Sequence, residues 1–140
     1  MLKQTALSME AGVREPLVNG DSEQLKQVLF NVIGNAIEAI ENNSEIRILT
    51  GLEDRFVFAK IIDHGSGISK DDLSKVFEPY YTTKKTGHGI GMMIVHRIMR
   101  DHGGDVGIDS KVGAGTIVTL RFPRKSLRSK LLESNPSNDR

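Results

Sequence analysis

At 140 residues the chain has room for one domain with a proper core and hardly for two. Hydrophobic residues make up 38% and charged residues 26%, an ordinary globular balance, and a formal net charge of +1 gives no reason to expect nucleic acid or an anionic membrane as the main partner. Cysteine is absent, which excludes disulfides, thiolate catalysis and zinc–cysteine sites and suits a reducing cytoplasm. No apolar run approaches the length of a membrane span, and the first residues do not resemble a signal peptide.

Residues 5–10 and 16–19 are short extended candidates, separated by turn-prone Ala11-Gly12-Val13-Arg14-Glu15. Gly20 closes the second. Asp21, with Gln24 three residues on, imitates a capping box and opens a long helix that Asn42-Asn43-Ser44 should end. Its apolar face repeats at Leu25, Val28, Leu29, Val32, Ile33, Ala36 and Ile40. At roughly 100° per residue, Asn31, Asn35 and Glu38 fall together on one narrow polar face. Such a row is either a solvated helix surface or a set of ligand groups on a rigid scaffold, and asparagine in a helix interior costs some stability. The helix alone does not decide between them.

Residues 45–52 and 55–63 read as a β-hairpin turning at 51–54, with Ile46, Ile48, Phe56, Phe58 and Ile61 as strand formers. The second strand runs into Asp63-His64-Gly65-Ser66-Gly67-Ile68. Ser69-Lys70-Asp71-Asp72 resembles the capped start of a short helix to Val76, which Pro79 prevents from continuing. The polar run Thr82-Thr83-Lys84-Lys85-Thr86 leads into Gly87-His88-Gly89-Ile90-Gly91. A second helix is expected over 92–102, with Met92, Val95, Ile98 and Met99 on its apolar face and Gly103-Gly104 as its stop. Strands at 105–110 and 116–122 follow, joined through Gly113-Ala114-Gly115. Residues 1–124 thus form the expected domain, and 125–140, rich in Ser, Asn and basic residues, a frayed or disordered tail. The mixture of elements predicts an α+β two-layer sandwich, with helices on one face of a mixed, mostly antiparallel sheet.

Asp63 ends an apolar strand. Its ordinary role there is a turn carboxylate. Its functional role would be an acceptor for an exocyclic amine, with Gly65 and Gly67 letting the backbone approach a flat ligand. Adenine carries that amine where guanine carries a carbonyl, so one buried acceptor can select the base. Gly87 to Gly91 opens onto a helix, and backbone N–H groups with the positive end of the helix dipole suit an anion. The spacing is neither a Rossmann fingerprint nor a Walker sequence. Lys84 and Lys85 upstream can each reach a phosphate as a point charge. Asn35 offers Mg²⁺ a neutral oxygen ligand, the phosphates supplying others.

In order and spacing these pieces resemble the ATP-binding catalytic domain of sensor histidine kinases, within the superfamily shared with gyrase, heat-shock chaperone and mismatch-repair ATPases. Asn31-Val32-Ile33-Gly34-Asn35-Ala36 is similar to the Asn box, and Asp63 to Ile68 to the first glycine box. Phe77-Glu78-Pro79-Tyr80-Tyr81-Thr82-Thr83-Lys84 resembles the Phe box that singles out the kinases and argues against a serine-directed kinase of the anti-sigma-factor type. Gly87 to Gly91 and Gly113-Ala114-Gly115-Thr116 are similar to the later glycine boxes. The resemblance spans about residues 5–123 and implies a Bergerat-type fold that binds ATP and Mg²⁺.

It further implies that Asn35 binds the metal, that Asp63 takes the adenine amine, and that Thr116 meets the base through Asp63 or a water. Gly65, Gly67 and Ile68 would border the base. Asn31 and Glu38 would line the phosphate side. Thr83, Lys84, Gly87, His88, Gly89, Ile90, Gly91 and Met92 would belong to the lid and its helix. His88, Ile90, Met92 and Met93 depart from the commoner residues. Two readings of His88 stand: only its backbone N–H matters, or its ring meets the triphosphate. None of His64, His88, His96 or His102 precedes an acidic residue, as the family's phosphoacceptor does. The implied partner is therefore a separate dimerisation and phosphoacceptor domain, with a response regulator beyond it. This unit is expected to be a cytoplasmic monomer with no catalytic side chain of its own.

Overall fold

The computed structural model describes residues 5–11, 18, 20–41, 44–78 and 91–124. Five strands form one sheet in the order β1-β2-β3-β5-β4, with β1 at Thr5–Ala11, β2 at Ser44–Glu53, β3 at Phe56–Asp63, β4 at Asp105–Lys111 and β5 at Gly115–Pro123. β1 runs parallel to β2 and every other pairing is antiparallel, as expected for a mixed, mostly antiparallel sheet. Helices α1 (Ser22–Ala39) and α3 (Gly91–Asp101) lie side by side on one face, and the short α2 (Lys70–Leu73) sits near β4. Of the second extended candidate, only Val18 is described, in an isolated bridge to Arg124. The tail at 125–140 lies outside the described residues.

Period decides what is buried. On α1 the inward residues are Val28, Val32 and Ala36, and on α3 they are Val95, Ile98 and Met99. They meet Ile46, Ile61 and Leu120 from alternate positions of the central strands. Each of these side chains larger than Ala36, fully buried, contributes about 1.5–3 kcal/mol relative to exposure.

The caps hold. Asp21 Oδ1 accepts from the Glu23 N–H at 2.9 Å and the Gln24 N–H at 3.4 Å. Ser69 caps α2 through the Asp72 N–H. At the end of α3 the Gly104 N–H bonds to the Met99 carbonyl and the Gly103 N–H to the Arg100 carbonyl, with Gly103 at φ +76. This is the Schellman pattern that two glycines permit. His102 then ties the two helices together. The Asp21 N–H can only donate, so His102 Nε2 accepts it at 3.1 Å, and Nδ1 carries the proton toward the Ile98 carbonyl at 2.8 Å.

Three expected boundaries move, and the smallest helix shows one of them: α2 ends at Leu73 rather than Val76. α1 stops at Ala39 rather than near Asn42, because Ile40 turns into extended backbone and drops into the core while the Ala39 carbonyl takes the Ser66 N–H. The hairpin turns at Asp54 and Arg55, with Asp54 at φ +58, so Gly51 lies inside β2. Gly51 pairs with Phe58, whose ring occupies the space that a Cβ would need.

Gly34 contrasts with these packed glycines, since no atom outside its own helix lies within 4 Å of where its Cβ would sit. Gly34→Ala is therefore expected to stabilise the fold by about 0.5–1 kcal/mol through helix propensity. Gly115→Ala should cost about 1–3 kcal/mol, because Gly115 sits at φ +101 with its missing Cβ directed at the Asp63 carbonyl. Urea unfolding of the two variants against the natural chain measures both, and the same sign for both would contradict the packing.

Candidate nucleotide site

Asp63, Thr116 and Ser110 form one rung across three strands. Asp63 on β3 pairs with Thr116 on β5, which pairs with Ser110 on β4. All three lie on the helix-covered face, Asp63 only 5% and Thr116 8% exposed. The Gly65 N–H donates to Asp63 Oδ1 at 2.8 Å. Burial pushes the Asp63 carboxyl above its ordinary value of 3.8, while backbone hydrogen bonds from Gly65 and Thr116 and the nearby His64 pull it down. A hollow of about 350 Å³ opens at this end of the sheet, lined by Asp63, His64, Ser110, Ala114 and Thr116 among others.

The turn after Asp63 is clamped on both sides. A Cβ on Gly65 would collide with the Ala39 carbonyl, and one on Gly67, at φ +75, with the Lys111 carbonyl. The Ser66 N–H bonds to the Ala39 carbonyl at 3.2 Å, and the Ser66 carbonyl accepts the Gly113 N–H at 2.9 Å. Both glycines thus have a structural reason, close approach to the protein's own backbone, beside any role toward a ligand. The Ile68 N–H is bound to Ser110 Oγ at 2.8 Å.

The polar row of α1 leads away from this rung. Glu38 is exposed, and Asn35 and Asn31 are half-buried. Asn31 Nδ2 reaches the Gly91 carbonyl at 3.5 Å, which brings the row to the first residue of α3. From Asn31 to Ala39 the helix spans about 12 Å, so it runs from the start of α3 to the turn below Asp63. The sheet-end hollow includes none of Asn31, Asn35 or Glu38, so the track along α1 is defined by the helix row and not by that hollow. Met92, the next residue of α3, packs partly against the core. Thr83, Lys84, Lys85, Gly87, His88, Gly89 and Ile90 lie outside the described residues.

Among the described residues no three His, Asp or Glu side chains group to hold a metal. A hard cation here would rest on amide oxygens and on the ligand's own oxygens. That matches Mg²⁺, which is seldom caged by protein alone.

Residues 20–126 match the sequence profile of the family described as Histidine kinase-, DNA gyrase B-, and HSP90-like ATPase. The chain belongs to that family. Sporulation kinase C of Bacillus subtilis is 36% identical over 110 residues, covering 79% of this chain and 26% of its own. Sensor histidine kinase ZraS of Escherichia coli K12 is 38% identical over 108 residues, covering 77% and 23%. The chain therefore spans about a quarter of the length of these relatives. The catalytic domain of histidine kinase ThkA superposes with a TM-score of 0.77 at 30% identity, covering 86% of this chain and 79% of that one. ShkA, crystallised full-length in complex with AMPPNP, gives 0.76 at 25% identity, covering 87% and 26%.

The chain is thus an ATP-binding catalytic domain of the histidine kinase kind. Sequence reading singled out Asp63 and Thr116 on the rung and Asn31 on α1, but it passed over Ser110. The signal was available: Val106, Ile108 and Ser110 alternate on one side of β4, so a hydroxyl stands where an apolar residue is expected. Phe77, the first residue of the Phe box, rests on the His96 ring at 5.1 Å between centroids. His96 is itself exposed.

The raised Asp63 carboxyl has a signed consequence. A carboxyl lifted by folding stabilises the fold fully below its unfolded value, and that contribution is lost as pH rises through the folded value. Asp63→Asn does not titrate there. Its stability relative to the natural chain should therefore rise between about pH 3 and about pH 7, whatever the offset between the two. Urea unfolding across that range measures it. A difference that falls with pH would mean that the backbone hydrogen bonds outweigh burial.

Proposed function

We propose that this domain binds ATP along the α1 track and transfers its γ-phosphoryl group to a histidine on a separate dimerisation domain of the same kinase. The observation that carries this reading is the continuity of the track. A buried acceptor rung lies at one end, amide side chains run along the middle, and the N-terminus of α3 lies at the other. Asp63 and Thr116 would take the adenine, with Gly65, Gly67 and Ile68 shaping the rim. Asn31, Asn35 and Glu38 would face the triphosphate. Thr83, Lys84 and the residues from Gly87 to Met92 would complete the phosphate end, including whichever role His88 takes. The likeness to sporulation kinase C and to sensor histidine kinase ZraS supports the kinase assignment, and the AMPPNP complex of ShkA supports the nucleotide.

Asn35 would hold Mg²⁺, which neutralises phosphate charge when bound. In the transfer, an imidazole nitrogen of the acceptor forms a bond to the γ-phosphorus, the bond to the β–γ bridging oxygen breaks, and ADP leaves. The chain's own contribution is position and charge: amides and backbone N–H groups hold the phosphates, and the rung orients the base. The base that receives the imidazole proton belongs to the acceptor side. A response regulator would receive the phosphoryl group afterwards. The isolated domain would act as a monomer in the cytoplasm. No described helix is long and apolar enough to cross a membrane.

Asn35→Ala should weaken Mg-ATP at least about tenfold and leave adenosine within about twofold, as read by calorimetry. Equal losses for both ligands would remove Asn35 from the metal. Mixed with a cognate dimerisation domain, the chain should generate acid-labile phosphohistidine on that partner from labelled ATP. Acid-stable label on this chain alone would point to a serine-directed kinase instead.

A further inference from the structure

Ser110 has three polar neighbours and one proton. Its Oγ accepts the Ile68 N–H at 2.8 Å, approaches the Gly115 carbonyl at 2.9 Å and meets Thr116 Oγ1 at 2.7 Å. A hydroxyl has one donor and two lone pairs. The Ile68 N–H uses one lone pair. The Gly115 carbonyl can only accept, so the Ser110 proton goes to it; otherwise two oxygens would face each other at 2.9 Å with no proton between them. One lone pair remains, and only a proton from Thr116 can fill it. This is the single arrangement in which all three contacts are attractive.

We infer that Ser110 is a positioning residue that fixes the Thr116 hydroxyl as an acceptor toward the ligand, and so shares base selection with Asp63. The inference rests on the ATP-binding reading above and deepens it. With its proton committed to Ser110, Thr116 Oγ1 presents only lone pairs to the site. Its pairing with Asp63 across β3 and β5 puts two acceptors on one rung. An exocyclic amine has two protons and can satisfy such a pair, directly or through a water. A six-oxo purine presents a carbonyl there and only its single N1 proton beside it, so it cannot satisfy both acceptors. A lone Asp would leave Thr116 free to rotate its proton toward that carbonyl, and the discrimination would be smaller. Ser110 removes this freedom, and its own orientation is held by backbone groups of two separate segments, Ile68 and Gly115.

The test compares ATP with inosine triphosphate, which differs at the six-position, using calorimetry on the natural chain and on variants. The natural chain should prefer ATP. Ser110→Ala should shrink the ratio of the two dissociation constants by about tenfold, with inosine triphosphate gaining relative to ATP as Thr116 turns to donate. Ser110→Thr, which keeps the hydroxyl, should restore the ratio. A merely structural role for Ser110 would weaken both nucleotides alike, and an unchanged ratio in Ser110→Ala overturns the inference while leaving ATP binding intact. Ser110→Ala removes a partner from both Ile68 and Gly115, so a variant that spares those bonds is needed in case it does not fold. Thr116→Val is that variant, and it must itself collapse the ratio; if the ratio persists, the inference falls. In the Thr116→Val background, Ser110→Ala should add no further change in the ratio, and an additive loss also overturns the coupling. If the natural chain binds neither nucleotide, the functional reading falls and takes this inference with it.

Discussion

Much of the site depends on one close contact, the carboxyl end of α1 against the turn after β3. The Ala39 carbonyl takes the Ser66 N–H, and the absent side chain of Gly65 lets the two backbones meet. A helix end leaves carbonyls without intrahelical partners, so one that docks on a turn has a polar reason to stop there. The same turn is held from the other side by the Ser66–Gly113 hydrogen bond and by Gly67 under Lys111. α1 is thereby fixed at a set height above the sheet. Its polar row and the strand-end carboxylate share one frame because of that contact.

This clamp explains how a carboxyl can sit at the covered face of a sheet. Burial disfavours the charged form of Asp63, and the Gly65 and Thr116 backbone groups favour it. A free, solvated Asp would bind its own water. A buried one with two backbone donors keeps its acceptor direction before any ligand arrives, and such preorganisation is what binding sites use to limit the loss of entropy. The Ser110–Thr116 contact extends this by one strand. Asp63 and Ser110 are oriented by backbone from neighbouring segments, and Thr116 is oriented through Ser110.

The other end of the track is built differently. Asn31 reaches α3 only through a 3.5 Å contact to Gly91, and α1 and α3 are joined mainly by apolar packing and by His102 at their far ends. A rigid rung at one end and amides shared between two helix faces at the other would suit a ligand whose flat part needs a fixed geometry and whose charged part needs many donors.

The sequence by itself determined the elements and most of the candidate site. The α1 stripe, the Asp21 and Ser69 caps, the Gly103-Gly104 stop and the order of the Asn and glycine boxes are local patterns, set by periodicities and capping chemistry that act within a few residues. Only the tertiary structure decided where α1 ends, that Gly51 belongs to a strand under Phe58, and that Gly65 and Gly67 serve backbone-to-backbone approach. Ser110 belongs with these. Its partners Ile68 and Thr116 lie 42 and 6 residues away, and a single serine in a strand looks the same whether its hydroxyl meets water or a second buried hydroxyl. Short-range patterns record what a residue prefers along its own backbone. They do not record which distant donor or acceptor will face it, because that is set by how the strands pair and which face the helices cover.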